Sequence, residues 1–543
     1  MESLQPAHHD DLPPPSGGAH DGWHIESLLA ASAFAHRTGN IELRETHLSW
    51  IILTGLYAYK IKKPVHLDFI DASTLQRRRQ LCEEELRLNQ RLSPGLYIDV
   101  LPVTRDERDR VHLGGEGIIV DYAVRMRQFD PLQALHHLLE RNAVSMFELQ
   151  RLADRLAEFH GAAAVAAAND VYGSLAHLSG MTMNTVNTLR KYWPAGEDAM
   201  QWQQLEHWTH QQLNRLEAEF NLRRLQGAIR EGHGDLHADN VVRWQGELMP
   251  FDCLEFDPAL RWIDVIHDVA FLVMDLATQR PDLAFGFLNR YLEDTGDYCG
   301  VRLLAFYAVH CALVRGMVNA VNIASSLDTP RQIDRFRLRM QSAGVWMKQR
   351  SPFLILMHGP SGSGKSWTSE PLIPALQAVR IRSDLERKRL ANVPLQAHRD
   401  DHINQGIYHP SFTSQTYAHL LKCAEQCLQG GVNTIVDAAF LHETQRRAFA
   451  MLAAHMNIRY FILSCSAEPR VLRQRVVARR QTATDPSDAG IDVLEKQLQA
   501  LQPFTVNEEP HVIRVRGDDD RDASSLAAII RQRLMRDGAL TEA

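Results

Sequence analysis

The sequence predicts a multidomain chain: an α+β, bilobal N-terminal part followed by an α/β part built on a doubly wound parallel sheet. Three observations carry this. The chain has 543 residues, enough for three or four units of ordinary size. Before Pro352, short strand-like runs give way to a long and mostly helical stretch. After it, "FLILMHG" opens a series of apolar runs separated by helical segments. Strands alternating with helices argue a parallel sheet, whose strands need crossover connections.

Taken in order, residues 1–22 are polar and rich in Pro, Gly and His, and read as a disordered tail that includes His8 and His9. Residues 23–130 form a small β-rich lobe. Its first half, "IELRETHLSWIILTGLYAYKIKKPVHLDFID", consists of β-branched and aromatic runs broken at Thr46–Ser49 and at Gly55. Helical periodicity follows at 74–92, and strand character returns in "GIIVDYAVRMRQF". Residues 131–345 are a larger helical lobe, interrupted around "GHGDLHADN", Gly232–Asn240. Residues 352–540 hold the parallel sheet, with further apolar runs at 378–381, 433–436, 459–464 and 511–515. No internal repeat or coiled-coil heptad is visible.

Composition narrows the function. A net charge of -7 gives no footprint for nonspecific nucleic-acid binding, so nucleic acid is not an expected partner. The 7 cysteines are scattered and odd in number, which argues against a disulfide framework. Cys423 and Cys427, one helical turn apart, are expected to be packing residues. The N-terminus has no basic region followed by an apolar run, so no secretory signal is expected. "LLAFYAVHCALVRGMV" is interrupted by His310 and Arg315 and falls short of the ~18 uninterrupted apolar residues of a spanning helix. A soluble, cytoplasmic protein without a membrane partner is expected; its oligomeric state is not specified.

The strongest motif is Gly359-Pro360-Ser361-Gly362-Ser363-Gly364-Lys365-Ser366, which fits the P-loop pattern and lies after an apolar strand and before a helix. The glycines let consecutive backbone N–H groups turn inward around phosphate oxygens, and the helix N-terminus adds positive potential. Lys365 is expected to reach the β and γ phosphates of ATP, and the Ser366 hydroxyl to ligate Mg²⁺. "NTIVDAAF" puts Asp437 at the end of a strand, where it suits the Mg²⁺ site of a P-loop protein. "VRIRSDLERKRL" puts Asp384 on the carboxyl edge of the sheet, where open α/β folds bind ligands. Asp384 is a candidate base for an attacking hydroxyl, with Arg387 near it to hold an anionic substrate. Capping the next helix is its other possible role, one Ser383 could fill equally well. "RVLRQRVVARR" carries Arg473, Arg475, Arg479 and Arg480 on one helix. Arg475 and Arg479 share a face, as arginines closing over a transferring phosphoryl group would, although a solvated basic helix has the same pattern.

Residues 353 to about 535 resemble the small-molecule P-loop kinases, a group that includes gluconate kinase, chloramphenicol phosphotransferase, the polynucleotide 5′-kinase domain and zeta-type toxins. The likeness rests on "GPSGSGKS", "RSDLERK", "VDAAF" and the arginine helix followed by "SDA". It implies Asp384 as base and an arginine lid, without choosing a substrate.

In "HGDLHADN" the spacing from Asp235 to Asn240 equals that of Asp and Asn in the loop H-R-D-x-x-x-x-N. The aspartate of such a loop accepts the proton of the substrate hydroxyl, while the asparagine holds Mg²⁺. "LMPFDCLEFD" then offers Asp252, at a strand end, as the second metal ligand. These residues resemble the aminoglycoside phosphotransferase and choline kinase branch of the protein-kinase-like fold, whose loop reads H-G-D. The resemblance implies that Asp264 and Asp268 support the loop, and that a nucleotide-binding lysine lies on a strand of the small lobe, paired with a helix glutamate. "YAYKIKK" offers Lys60, with Lys62 on the same strand face, and "CEEELRLN" offers Glu85 or Glu84. No Gly-rich loop precedes Lys60, so phosphate contact there would rest on Thr46, His47 and Ser49.

The chain as a whole resembles bacterial fusions of a phosphotransferase-like part with a P-loop ATPase or kinase part. The expected function is a Mg-ATP-dependent phosphotransferase with two kinase-type modules acting on a small-molecule hydroxyl. One alternative is a regulatory ATP-binding protein whose N-terminal module transfers no phosphate. Another is a toxin-like or nucleic-acid 5′-end kinase, for which the basic run Arg382–Arg389 is the only hint.

Overall fold

A computed structural model describes residues 19–20, 23–67, 70–167, 169–324, 329–348, 350–395, 409–482, 490–516 and 523–538. The chain divides into two compact units, residues 1–134 with 249–261, and residues 135–248 with 262–543. Most of the expected tail, the "SDA" stretch, and the side chains of Arg479 and Arg480 lie outside the described residues. Within the expected tail, Ala19–His20 pairs antiparallel with Trp23–His24, and Trp23 is buried.

The first unit is an antiparallel sheet in the order Glu42–Glu45, Ser49–Leu53, Tyr57–Lys62, Ile118–Arg127, Tyr97–Arg105, Val111–Leu113. Strand side chains alternate between faces. Trp50, Ile52, Tyr59 and Ile61 therefore enter one core, with Trp23, Val103 and Ala123. Lys60 and Lys62 fall on the opposite face, where the helix Leu75–Gln90, capped by Thr74, packs against the sheet. The strand Tyr97–Arg105 was not legible in the sequence. It contains Pro102, which removes a ladder donor, and it is only partly buried along most of its length.

The second unit contains the helical lobe and the parallel sheet together. The helix Val265–Gln279 is buried from Val265 to Leu276, as expected of a helix at the centre of a core. Beside it runs Val301–Ala324, paired with Thr329–Met347. By length and composition Tyr298–Ala324 could cross a membrane, which corrects the expectation that it falls short; 67% of its most apolar window is buried inside the protein. It is a core helix, and His310, which interrupts the apolar run, is buried with the rest.

The sheet is parallel throughout, in the order Ala378–Arg382, Asn433–Asp437, Phe353–His358, Arg459–Ser466, Val512–Arg516. Each strand falls within a residue or two of its expected position; Phe353–His358 and Asn433–Asp437 are short apolar runs buried on both faces, whereas the edge strand Val512–Arg516 exposes Arg514 and Arg516. The edge strand Ala378–Arg382 is covered by the helix Pro281–Thr295 from the helical lobe, which also packs on Leu372–Leu376.

That helix borders a cavity of about 790 Å³ lined by Asp154, His160, Arg223, Arg290, Asp294 and Asp297 among others. Burial pushes the Asp294 carboxyl up to about 7; Arg290 opposes the rise, and Asp154 and Glu293 add to it. Above 3.8, its ordinary value, the unfolded chain loses this proton while the folded chain keeps it. The folded state then binds more protons, so this group lowers stability as pH rises from about 4 to 7. Asp294→Asn is expected to flatten the pH dependence of Tm over that interval. An unchanged slope would show that Asp294 titrates normally.

Candidate active sites

The P-loop leaves the central strand Phe353–His358 and enters the helix Lys365–Ser369. Gly359, Gly362 and Gly364 have φ of 136°, 79° and 93°, values that L side chains rarely adopt. At Gly359 a Cβ would meet the Cys465 carbonyl oxygen at 2.3 Å, so glycine is required there for space as well as conformation. Lys365 Nζ donates to the Pro360 carbonyl at 2.9 Å, folding over the loop. The Ser363 hydroxyl is fully buried with no hydrogen-bond partner among the described residues. An orphaned buried hydroxyl in a glycine-bounded cradle beside a lysine fits a phosphate. One loop amide is already engaged: Ser361 N–H donates to Gln497 Oε1 at 2.7 Å. Gln497 was missed in the sequence because nothing local marks it; it lies on the helix Ile491–Ala500, far along the chain.

Asp437 ends its strand as expected and is 5% exposed. It accepts from the Ser369 hydroxyl at 3.4 Å, one turn beyond Ser366. These residues suit a divalent cation: a carboxylate and a hydroxyl at the start of one helix. Asp384 sits inside the helix Ser383–Leu390, whose N-terminus makes no side-chain cap bond, so neither Asp384 nor Ser383 is its N-cap. Its carboxylate is held by Arg382 through bonds of 2.7 and 3.1 Å. Burial alone would raise the Asp384 carboxyl, but Arg382 outweighs it and holds it below the ordinary carboxylate range. Arg387 is buried and donates to Thr413 Oγ1 at 3.3 Å. Arg475 reaches the P-loop, with Nη1 3.4 Å from the Gly362 carbonyl, whereas Arg473 turns outward to Glu495 at 2.7 Å.

The helical lobe builds the second loop. Asn240 Nδ2 donates to the Asp235 carbonyl at 3.0 Å and to Asp235 Oδ2 at 3.1 Å, so the five-residue spacing brings the two side chains into contact. The loop rests on Asp268, whose carboxylate accepts from His233 N–H at 2.7 Å and Gly234 N–H at 2.9 Å, with His160 at 3.2 Å. Burial works against ionisation of Asp268, and His160 overcomes it, holding the carboxyl at about 2. Asp264 makes no hydrogen bond or ion pair to this loop among the described residues. It pairs with Arg223 at 2.5 Å and caps the next helix through Ile266 N–H, a correction to the expectation that both aspartates support the loop.

Two more groups belong to this site. His237 Nε2 lies 3.2 Å from Asp235 Oδ2, and Arg315 contacts His237 at 2.6 Å and Asp239 at 2.5 Å. Burial pulls the Asp235 carboxyl upward, while His237, Arg315 and His233 outweigh it and keep it below its ordinary value. Arg315 reads in sequence only as a charge breaking an apolar run. Its partner is supplied by tertiary packing.

In the first unit Lys60 bonds Glu85 at 2.9 Å and Asp252 at 2.6 Å. Lys62, on the same face, bonds Glu85 and Glu255, both at 2.5 Å. Glu85 thus holds both lysines; burial raises its carboxyl, but Lys60 and Lys62 outweigh this and hold it below the ordinary carboxylate range. Glu84 instead pairs with Arg87 and Arg261. Asp252 lies two residues past the strand Glu247–Pro250 with φ 65°, so it is not strand-terminal as expected. Aspartate is one of the few residues that tolerates this left-handed conformation. The turn proposed to contact phosphate closes on itself: Thr46 Oγ1 bonds the Ser49 backbone, and Ser49 is buried.

Residues 354–504 match the family model of the AAA domain. An uncharacterized protein of Mycobacterium tuberculosis (strain ATCC 25618 / H37Rv) is 29% identical over 459 residues, covering 83% of this chain and 88% of its own, so the likeness extends well beyond the AAA domain. Among solved structures, a choline/ethanolamine kinase family protein from Mesorhizobium loti is similar at 12% identity, covering 58% of this chain and 90% of its own with a TM-score of 0.36. A gluconokinase from Sinorhizobium meliloti 1021 is similar at 18% identity, covering 35% of this chain and 98% of its own with a TM-score of 0.25.

Proposed function

We propose that the chain is a Mg-ATP-dependent phosphotransferase with two kinase-type modules, each moving a γ-phosphoryl group to the hydroxyl of a small molecule. The observation that carries this reading is that both loops are complete in themselves: the P-loop cradle with Lys365 and Asp437, and the Asp235–Asn240 pair seated on Asp268. In the P-loop module Gly359–Ser366 hold the phosphates, Ser366 and Asp437 hold Mg²⁺, and Arg475 closes on the loop, with Arg479 as its proposed companion. Asp384 accepts the acceptor's proton once released from Arg382. In the N-terminal module Asp235 is the base, Asn240 and Asp252 the metal ligands, and Lys60 with Glu85 the nucleotide-binding pair. Mg²⁺ would supply charge neutralisation between the β and γ phosphates.

An anionic acceptor is favoured for the Asp235 module. Arg331, Arg335 and Arg339 recur every fourth residue along the helix Thr329–Met347, so they share a face. Arg339 pairs with Asp275, which accepts from Ala238 N–H in the catalytic loop, and this brings that face to the loop. Arg331 and Arg335 have no ion-pair or hydrogen-bond partner among the described residues. Hydrogen bonds to charged groups contribute roughly 1.5–3 kcal/mol, so Arg335→Ala should raise KM for the acceptor about tenfold or more while leaving KM for ATP unchanged. The assay splits a metabolite extract by anion exchange before reaction with labelled ATP. Labelled product arising only from the unretained, neutral or cationic fraction would contradict an anionic acceptor.

The regulatory alternative draws on one observation, that Lys60 neutralises Asp252 while no Gly-rich loop stands beside it. The nucleic-acid alternative loses its only hint. Arg387 and Lys388 are buried, Arg382 is bound to Asp384, and Arg389 to Glu386, so Arg382–Arg389 is not a basic surface.

A further inference from the structure

The P-loop module does not stand alone within its unit, because a charge from the helical lobe is built into it. Arg380, on the edge strand Ala378–Arg382, is 2% exposed and lies under the start of the P-loop helix. Its Nη1 donates to the Ser366 carbonyl at 3.3 Å and to the Ser369 hydroxyl at 3.2 Å. The one proton of the Ser369 hydroxyl has two acceptors in reach, the Ser366 carbonyl at 3.2 Å and Asp437 Oδ2 at 3.4 Å. One guanidinium thus touches the residue proposed to ligate Mg²⁺ and, through one hydroxyl, the carboxylate proposed to support it. The buried carboxylate that neutralises this guanidinium is Glu293, 4% exposed, on the helix Pro281–Thr295 of the helical lobe, with Oε1 2.9 Å from Nε. Glu370 also pairs with Arg380 at 2.7 Å, but it is half exposed and belongs to solvent. The same helix fixes the strand itself. Asn289 Oδ1 accepts from Arg380 N–H at 2.6 Å, and Arg389 donates to the Glu293 carbonyl at 2.7 Å.

We infer that Glu293 and Arg380 are positioning residues through which the helical lobe sets the divalent-cation affinity of the P-loop site. This rests on the P-loop reading given above. With Glu293 in place, Arg380 is close to neutral as a pair and serves only to hold Ser366, Ser369 and Asp437 in line. Without the Glu293 charge, the buried guanidinium keeps only the half-exposed, solvent-screened Glu370 as counter-charge, faces the cation site with a net positive charge and competes with the cation for Asp437. Two like charges in a poorly solvated site repel strongly. Any movement of the helix Pro281–Thr295 that lengthens the Glu293–Arg380 bond would act in the same direction, so the state of the helical lobe is written into the metal affinity of the P-loop.

The test is calorimetric binding of ATP to the full chain across a Mg²⁺ titration, with Lys365→Ala as the reference that identifies the P-loop component. Glu293→Gln keeps the shape and removes the charge. It should raise the Mg²⁺ concentration for half-maximal P-loop binding about tenfold, while metal-free ATP binding is unchanged or tighter. In an Arg380→Gln background, Glu293→Gln should produce no further shift, because the charge it uncovers is gone. Should Glu293→Gln not fold, Glu293→Asp, which keeps the charge at a shorter reach, should give a smaller shift in the same direction. A wild-type Mg²⁺ dependence in the folded Glu293 variants would overturn the inference, as would the same shift with and without Arg380. If Lys365→Ala changes neither binding nor turnover, the P-loop reading itself fails, which is a separate outcome.

Discussion

Lys365→Ala is expected to abolish most ATP turnover by the full chain. The Lys365 ammonium lies over the P-loop, bonded to the Pro360 carbonyl, in a cradle whose Ser363 hydroxyl is already cut off from water. Removing it leaves developing charge on the β and γ phosphates without the cation that the loop itself supplies. Losing one group that stabilises transition-state charge commonly costs ~10² or more in rate, about 2.7 kcal/mol. Arg475 reaches the same loop from another helix, and Lys365 should exceed it in effect because its Nζ sits within the cradle rather than at its rim. Steady-state kinetics at saturating ATP check this. Undiminished turnover would mean that the P-loop is not the main catalytic site.

The second large effect is expected at Asp235. Asp235→Ala should remove transfer at the N-terminal module by ~10² to 10⁴, the usual contribution of a positioned base, while leaving nucleotide binding nearly intact. A base acts on the acceptor rather than on the nucleotide. Asp252→Ala should do the reverse and weaken Mg-ATP binding by deleting a metal ligand. The environment of Asp235 sharpens the expectation. His237 and Arg315 hold its carboxyl below the ordinary range, so activity of this module should not fall until the pH drops below that range. The full chain is the right material, because the helix Pro281–Thr295 covers the edge of the parallel sheet and a cut near residue 345 would expose that face. If Asp235→Ala abolishes nucleotide binding instead of transfer, the assignment of a base is wrong.

Much of this was legible in the sequence, for physical reasons that differ from residue to residue. The parallel strands were found because a strand buried on both faces must be an unbroken apolar run, as at Phe353–His358. The P-loop was found because its glycines, lysine and serine are contiguous, and the Asp235–Asn240 pair because both side chains sit on one short loop. A strand lysine facing a helix glutamate was legible because the strand and the helix each declare themselves, but the choice between Lys60 and Lys62 and between Glu85 and Glu84 was open, and only packing could show that Glu85 serves both lysines. What remained hidden depends on distant partners. Glu293 reads as an ordinary acid in a helix and Arg380 as a charge spoiling a strand, and each is explained only by the other, 87 positions away. Gln497 likewise becomes significant only when its helix is folded against Ser361. The strand Tyr97–Arg105 was hidden for a local reason, since Pro102 and scattered exposure mask its alternation.

The most direct test of a two-module phosphotransferase is product analysis. The full chain, Asp235→Ala, Lys365→Ala and the double variant are each incubated with γ-labelled ATP, Mg²⁺ and a metabolite extract, and the labelled products are separated. The account predicts label in at least one small-molecule acceptor for each module, one set of products lost with Asp235, another lost with Lys365, and none formed by the double variant. Label appearing only as inorganic phosphate, or products unaltered by both substitutions, would contradict it.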